Sequence, residues 1–118
     1  MTDEDKKAKG TALARRLFEG VKGGTRMPER LTDYTMAHLF GDVWQGTDLA
    51  LEERSLVTCT ILVALNREAE QRLHFTGAKN LGIPRKKLEE MITQAAHYAG
   101  WPCAVSAIRV LNEVWPLE

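Results

Sequence analysis

The segment Glu52–Asn66, EERSLVTCTILVALN, carries apolar side chains on nearly every side between Leu56 and Leu65. A helix without a polar face has to be surrounded by other helices, so this one is expected at the centre of the fold. Its β-branched residues would also suit a strand, but its length and the lack of strand candidates beside it decide for a helix. Glu52 and Glu53 fall in its first turn, where the helix macrodipole favours negative charge. A protomer of 118 residues has few other helices with which to cover such a segment. The chain is therefore expected to bury apolar helix faces in a homo-oligomer.

The remaining sequence is helical in pattern almost throughout. Leu13, Leu17, Phe18 and Val21 stand at helical spacing in a first helix that Gly23 and Gly24 are expected to stop. Pro28 opens a second, ERLTDYTMAHLF, which ends at Gly41. The glycine-punctuated GDVWQGTDLA reads as a connection with Trp44 as its apolar anchor. After the central helix, Arg67–Leu81 forms another, closed by Gly82 as a C′ residue. Pro84 opens the next, ended by Gly100, and Pro102 starts the last, whose expected buried stripe is Ala104, Ile108, Leu111 and Trp115. The reading is one all-α domain of about six helices, with an N-terminal helix in residues 1–24 and a core in 28–118.

Sixteen basic and sixteen acidic side chains cancel, which argues against nucleic acid or an anionic membrane surface as a partner. The basic runs DKKAK and PRKK sit beside carboxylates and read as solvated faces. No apolar run approaches the ~20 residues that span a bilayer. The charged start MTDEDKKAKG lacks a signal-peptide core, so a cytoplasmic location is expected. Cys59 and Cys103 lie in different helices and form no C-x-x-C, which supports neither a dithiol centre nor a zinc knuckle. The three histidines fall in separate segments, so no metal site is expected.

Glu70 and His74 are one helical turn apart. Arg72, Thr76 and Lys79 make the polar stripe of their helix, whereas Glu70 and His74 share a stripe with Gly77 and Leu81, flanked by Leu73 and Ala78. Gly77 costs about 1 kcal/mol of helix propensity relative to alanine, so it either leaves space beside the imidazole or permits close helix approach. Two readings follow. The pair is a structural hydrogen bond, or the carboxylate holds the imidazole's tautomer and raises its basicity for proton transfer near neutral pH. Gln94 lies with Met91 and Tyr98 on another stripe. His97, with Glu90 and Thr93, reads as surface or interface, and His38 as structural.

Several motifs together resemble the carboxymuconolactone decarboxylase family, within the alkylhydroperoxidase-D-like superfamily. They are FGDVW at Phe40–Trp44, ERSLVT at Glu53–Thr58, LVAL at Leu62–Leu65, E-x-R-x-H at Glu70–His74, NLGI at Asn80–Ile83 and YAGWP at Tyr98–Pro102. They occur in the family's order and spacing over about two thirds of the chain. The resemblance implies an all-helical fold assembling into a ring, a trimer or hexamer, with pockets near subunit contacts. It implies no metal or organic cofactor, and conversion of 4-carboxymuconolactone to 3-oxoadipate enol-lactone in protocatechuate catabolism. The peroxidase branch carries cysteines where this chain has Arg67 and Glu70, so its dithiol chemistry is not expected. The decarboxylase pattern also has a histidine where this chain has Gln94.

On this reading His74 is the proton donor or oxyanion partner, and Glu70 orients it. Arg54 or Arg72 is a candidate partner for a substrate carboxylate, Arg72 only from a neighbouring subunit. Gln94 is a candidate amide donor to the lactone. Gln94, Tyr98, Trp101 and Gly77 are expected to line the pocket with His74, and Trp44 is a candidate pocket wall. Other classes of answer are an isomerase or decarboxylase acting on another small carboxylate, and a non-catalytic small-molecule-binding oligomer.

Overall fold

The computed structural model describes residues 1–117. Six α-helices account for most of them: α1 (Asp3–Leu17), α2 (Glu29–Tyr34), α3 (Leu51–Ala64), α4 (Glu68–Asn80), α5 (Arg85–Ala99) and α6 (Trp101–Val114). There is no strand among the described residues. The expected all-α domain of six helices is the one found.

The N-terminal helix starts where its chemistry says it should. Thr2 caps α1 by accepting from the Asp5 amide, and the Asp5 carboxylate takes the Thr2 amide in return, both at 3.1 Å. The helix stops at Leu17, short of the expected Gly23–Gly24. The cause lies elsewhere in the chain: Asn80 Nδ2 donates to the carbonyls of Leu17 and Glu19 at 2.8 Å each. Those bonds satisfy acceptors that a continued helix would have used, and Gly20 turns the chain away at a φ of 83°.

α2 begins after Pro28 and runs into a π-helical turn, Thr35–Phe40, and then a 3-10 turn, Val43–Gln45. The α1 helix crosses the π-helical turn at backbone contact. A Cβ on Gly10 would overlap the Met36 carbonyl oxygen, and one on Gly41 would overlap that of Lys6. Two buried glycines thus let two helical segments meet without side chains between them. The π-helical turn ends on Phe40, and the 3-10 turn carries Trp44; both are buried.

α4 ends in a Schellman motif: Ile83 N–H bonds the Ala78 carbonyl at 3.1 Å and Gly82 N–H that of Lys79 at 3.0 Å. Gly82 supplies the required left-handed φ of 85°, as the sequence predicts. Leu17, Val63, Phe75, Leu88 and Leu111 meet in the fully buried core.

α3 packs on α4, α5 and α6, yet it is not enclosed as expected. Ser55, Cys59 and Val63 face inward, whereas Val57, Ile61 and Leu65 are 46%, 52% and 61% exposed. Their spacing of four places them on one stripe, so the chain alone covers only part of its most apolar helix.

Candidate active site

His74 sits on the inner side of α4 in a box of aromatic rings. Phe18, the first residue past α1, meets the imidazole edge-on with centroids 5.3 Å apart. Trp44 lies nearly parallel to it, at 5.9 Å and 21°. Phe40 joins the box by contacting both Phe18 and Trp44 at 5.7 Å. Below, on α3, Cys59 donates its Sγ–H to the His74 carbonyl at 3.4 Å. Nδ1 is buried and has no hydrogen-bond partner among the described residues. Burial drives the imidazole down from its ordinary value to about 4, because no nearby charge stabilises the imidazolium.

Glu70 does not supply that charge. It is exposed at the outer end of the same stripe and makes no hydrogen bond to His74 among the described residues. One helical turn brings two residues onto one face, but the long carboxylate swings to water while the ring turns to the core. The expected rise in basicity is therefore reversed in this chain.

Gly77 serves close approach, one of the two expected alternatives. A Cβ there would sit 3.4 Å from the Leu17 carbonyl oxygen and 3.5 Å from its Cδ2. The space beside the histidine belongs to the end of α1. The other expected wall residues lie elsewhere. Gln94 is exposed on α5, Tyr98 is 85% exposed, and Trp101, at 59%, stacks edge-on against His97 at 4.9 Å. Trp101 and His97 border a shallow apolar groove between α5 and α6 that also takes in Ile92, Val105 and Ile108. Because α5 packs on α3 and α6 and α4 packs on α1, α3 and α6, the chain by itself does not gather Gln94, Tyr98 and Trp101 around His74.

The two candidate arginines differ. Arg72 is exposed and engaged by Glu113, with Nε to Oε2 at 2.6 Å and the second prong at 3.4 Å. Arg54 reaches back from α3 to donate to the Gly46 carbonyl at 3.2 Å, and its buried Nε has no partner among the described residues. Gly46 follows Trp44 by two residues, so one short loop connects the Arg54 guanidinium to the ring stacked on His74. A surface depression of about 390 Å³ opens beside that loop, lined by Leu13, Arg16, Trp44, Gly46, Leu49 and Leu51.

Phe18 and Phe40 were missed as site residues by sequence reasoning. Phe40 was available in the FGDVW motif; Phe18 carried no signal beyond its place in an amphipathic stripe. Cys59 and Cys103 are both free. Burial pushes the Cys59 thiol up to about 12, so it stays protonated at neutral pH. No three potential metal ligands gather, and no helix is long and apolar enough to cross a membrane, among the described residues.

Fold and site together define a small all-helical protein with a half-buried, aromatic-walled histidine and, close by in the chain, an arginine whose buried Nε has no partner among the described residues. A sequence model of the carboxymuconolactone decarboxylase family matches residues 29–113. The chain is 32% identical to the 4-carboxymuconolactone decarboxylase of Acinetobacter baylyi, covering 98% of this chain and 90% of that protein. It is also 34% identical to the nitrosuccinic acid decarboxylase npaB of Metarhizium robertsii, over 63% of this chain and 52% of that protein. This chain belongs to the carboxymuconolactone decarboxylase family.

Proposed function

We propose that the protein is a decarboxylase acting without a cofactor on a small, multiply charged carboxylate, with 4-carboxymuconolactone as its substrate. The observation that carries this reading is the aromatic-walled imidazole of His74, whose buried Nδ1 has no partner among the described residues. Both relatives are named as decarboxylases, which supports the reaction class.

Loss of CO₂ from 4-carboxymuconolactone breaks one C–C bond and sends its electron pair into the conjugated lactone as a dienolate. That dienolate then takes one proton on carbon, so each turnover consumes a proton. Free His74 is neutral at pH 7 and has no proton of suitable acidity to give. An anionic substrate beside it changes that balance, since a nearby negative charge favours the imidazolium. On this mechanism His74 takes up a proton as substrate binds, hydrogen-bonds the developing oxyanion, and delivers the proton to carbon. The aromatic walls strengthen both interactions by limiting the water around the ring.

Arg54 is the anchor for the carboxylate that is retained. Its buried, unpartnered Nε is a donor in want of an acceptor, and a guanidinium pairs with carboxylates in a fixed geometry. Arg16 adds positive charge at the rim of the depression beside Trp44. In this chain Glu70, Arg72, Gln94, Tyr98 and Trp101 reach the site only if a second subunit brings them there.

The test is incubation with 4-carboxymuconolactone, following CO₂ release and enol-lactone formation together. Calorimetric titration with a non-reactive dicarboxylate analogue, in buffers of different ionisation enthalpy, should show close to one proton taken up per site near pH 7. Absence of CO₂ release, or binding without proton uptake, would count against this mechanism.

A further inference from the structure

The segment that matches the family model begins at residue 29, yet α1 and the residue after it build one wall of the histidine box. Three features fix where the chain leaves α1. Leu17 is fully buried against Gly77. Asn80 grips the Leu17 and Glu19 carbonyls. Gly10 and Gly41 hold the helix at backbone contact with the π-helical turn. The consequence is that Phe18 arrives edge-on to both His74 and Phe40.

We propose that Phe18 is a positioning residue for His74: it presses the imidazole against Trp44 and seals Nδ1 from water, which makes the N-terminal helix part of the active site. Edge-to-face contact at about 5 Å suits this task, because the positive ring edge meets the π face of its neighbour and fixes the angle as well as the distance.

No charge among the described residues does the same job. On α4, Glu68 accepts from Ser106, Arg72 is held by Glu113 of α6, and Glu70 is exposed. On α3, Arg54 bonds Gly46 while Glu52 and Glu53 are exposed. On α1, Arg15 and Arg16 are exposed, as is Arg109 on α6, and Asp42 before the Trp44 turn is paired with Lys6. The state of the imidazole is therefore governed by how completely rings cover it, and Phe18 is the cover that the N-terminal helix contributes.

The test is NMR titration of the His74 ring in the whole protein, which needs no substrate and so stands apart from the decarboxylase reading. The wild-type ring should titrate at about 4. In Phe18→Ala the midpoint should move up by about one pH unit or more, towards the ordinary histidine value, as water reaches Nδ1. Phe18→Leu, which keeps an apolar cover, should restore most of the low value. Arg15→Gln, an exposed change on α1 that leaves Phe18 and its anchors untouched, should leave the midpoint in place. On a substrate that the wild type turns over, Phe18→Ala should lower kcat by about tenfold with a smaller change in KM, and Phe18→Leu should recover most of it. If Phe18→Ala does not fold, Phe18→Gln, which keeps bulk but not the apolar cover, replaces it and should still move the midpoint upward. An unchanged His74 midpoint in a folded Phe18→Ala or Phe18→Gln variant would overturn the proposal.

Discussion

Taking an imidazole out of water costs far less while it is neutral than once it is charged. For His74 this makes stability depend on pH with a definite sign. The folded-state value lies near 4, below the ordinary 6.5 of the unfolded chain. The unfolded chain therefore binds the proton first, and stability is full above pH 6.5 and falls between 6.5 and 4. The loss should approach about 3 kcal/mol, and it should be absent in His74→Phe if that variant folds. Urea unfolding at pH 7.5 and at pH 4.5 checks both statements. Glu70→Gln should change neither the unfolding midpoint nor its pH dependence by more than ~0.5 kcal/mol, because Glu70 is exposed and unbonded to the ring. The sequence proposes His74 through the E-x-R-x-H pattern, and the expected contact with Glu70 is not made within the chain. Helical periodicity assigns residues to faces; it does not say whether a flexible carboxylate on a shared face turns inward or to solvent.

The helix ends written by local chemistry were legible. Gly82, Pro84, Gly100 and Pro102 fix the boundaries of α4, α5 and α6 through their own backbone preferences, and the structure follows them. The end of α1 was not, because the residue that decides it, Asn80, lies more than sixty positions away. Long-range contacts leave no periodic trace. The same holds for the crossing of α1 over the π-helical turn, where Gly10 reads in the sequence only as a mild helix breaker. Gly10→Ala should raise helix propensity and still destabilise the protein by about 1–3 kcal/mol, since the added methyl overlaps the Met36 carbonyl oxygen. Thermal unfolding of the variant measures this. A gain in stability would mean that α1 does not sit at backbone contact.

For the molecule as a whole, the apolar stripe of Val57, Ile61 and Leu65 remains open in the single chain, and so do Tyr98, Trp101 and Val105. The expectation from the sequence is a trimer or hexamer, and these residues are the surface such a ring would bury. Ile61→Lys should then shift sedimentation to a smaller species while the far-UV spectrum of the helices is kept. A wild-type monomer at micromolar concentration would contradict it. The pocket expected from the sequence drew on Gln94, Tyr98 and Trp101, which one chain does not bring to His74; periodicity cannot tell a contact within a chain from one between chains. The central claim is that an aromatic-walled histidine performs the proton step of a decarboxylation, and the most direct measurement is CO₂ release from 4-carboxymuconolactone by wild type and His74→Ala side by side. The account predicts release by the wild type and a fall in kcat of ~10²–10⁴ in the variant, with its helical content unchanged. Full turnover by His74→Ala would contradict it.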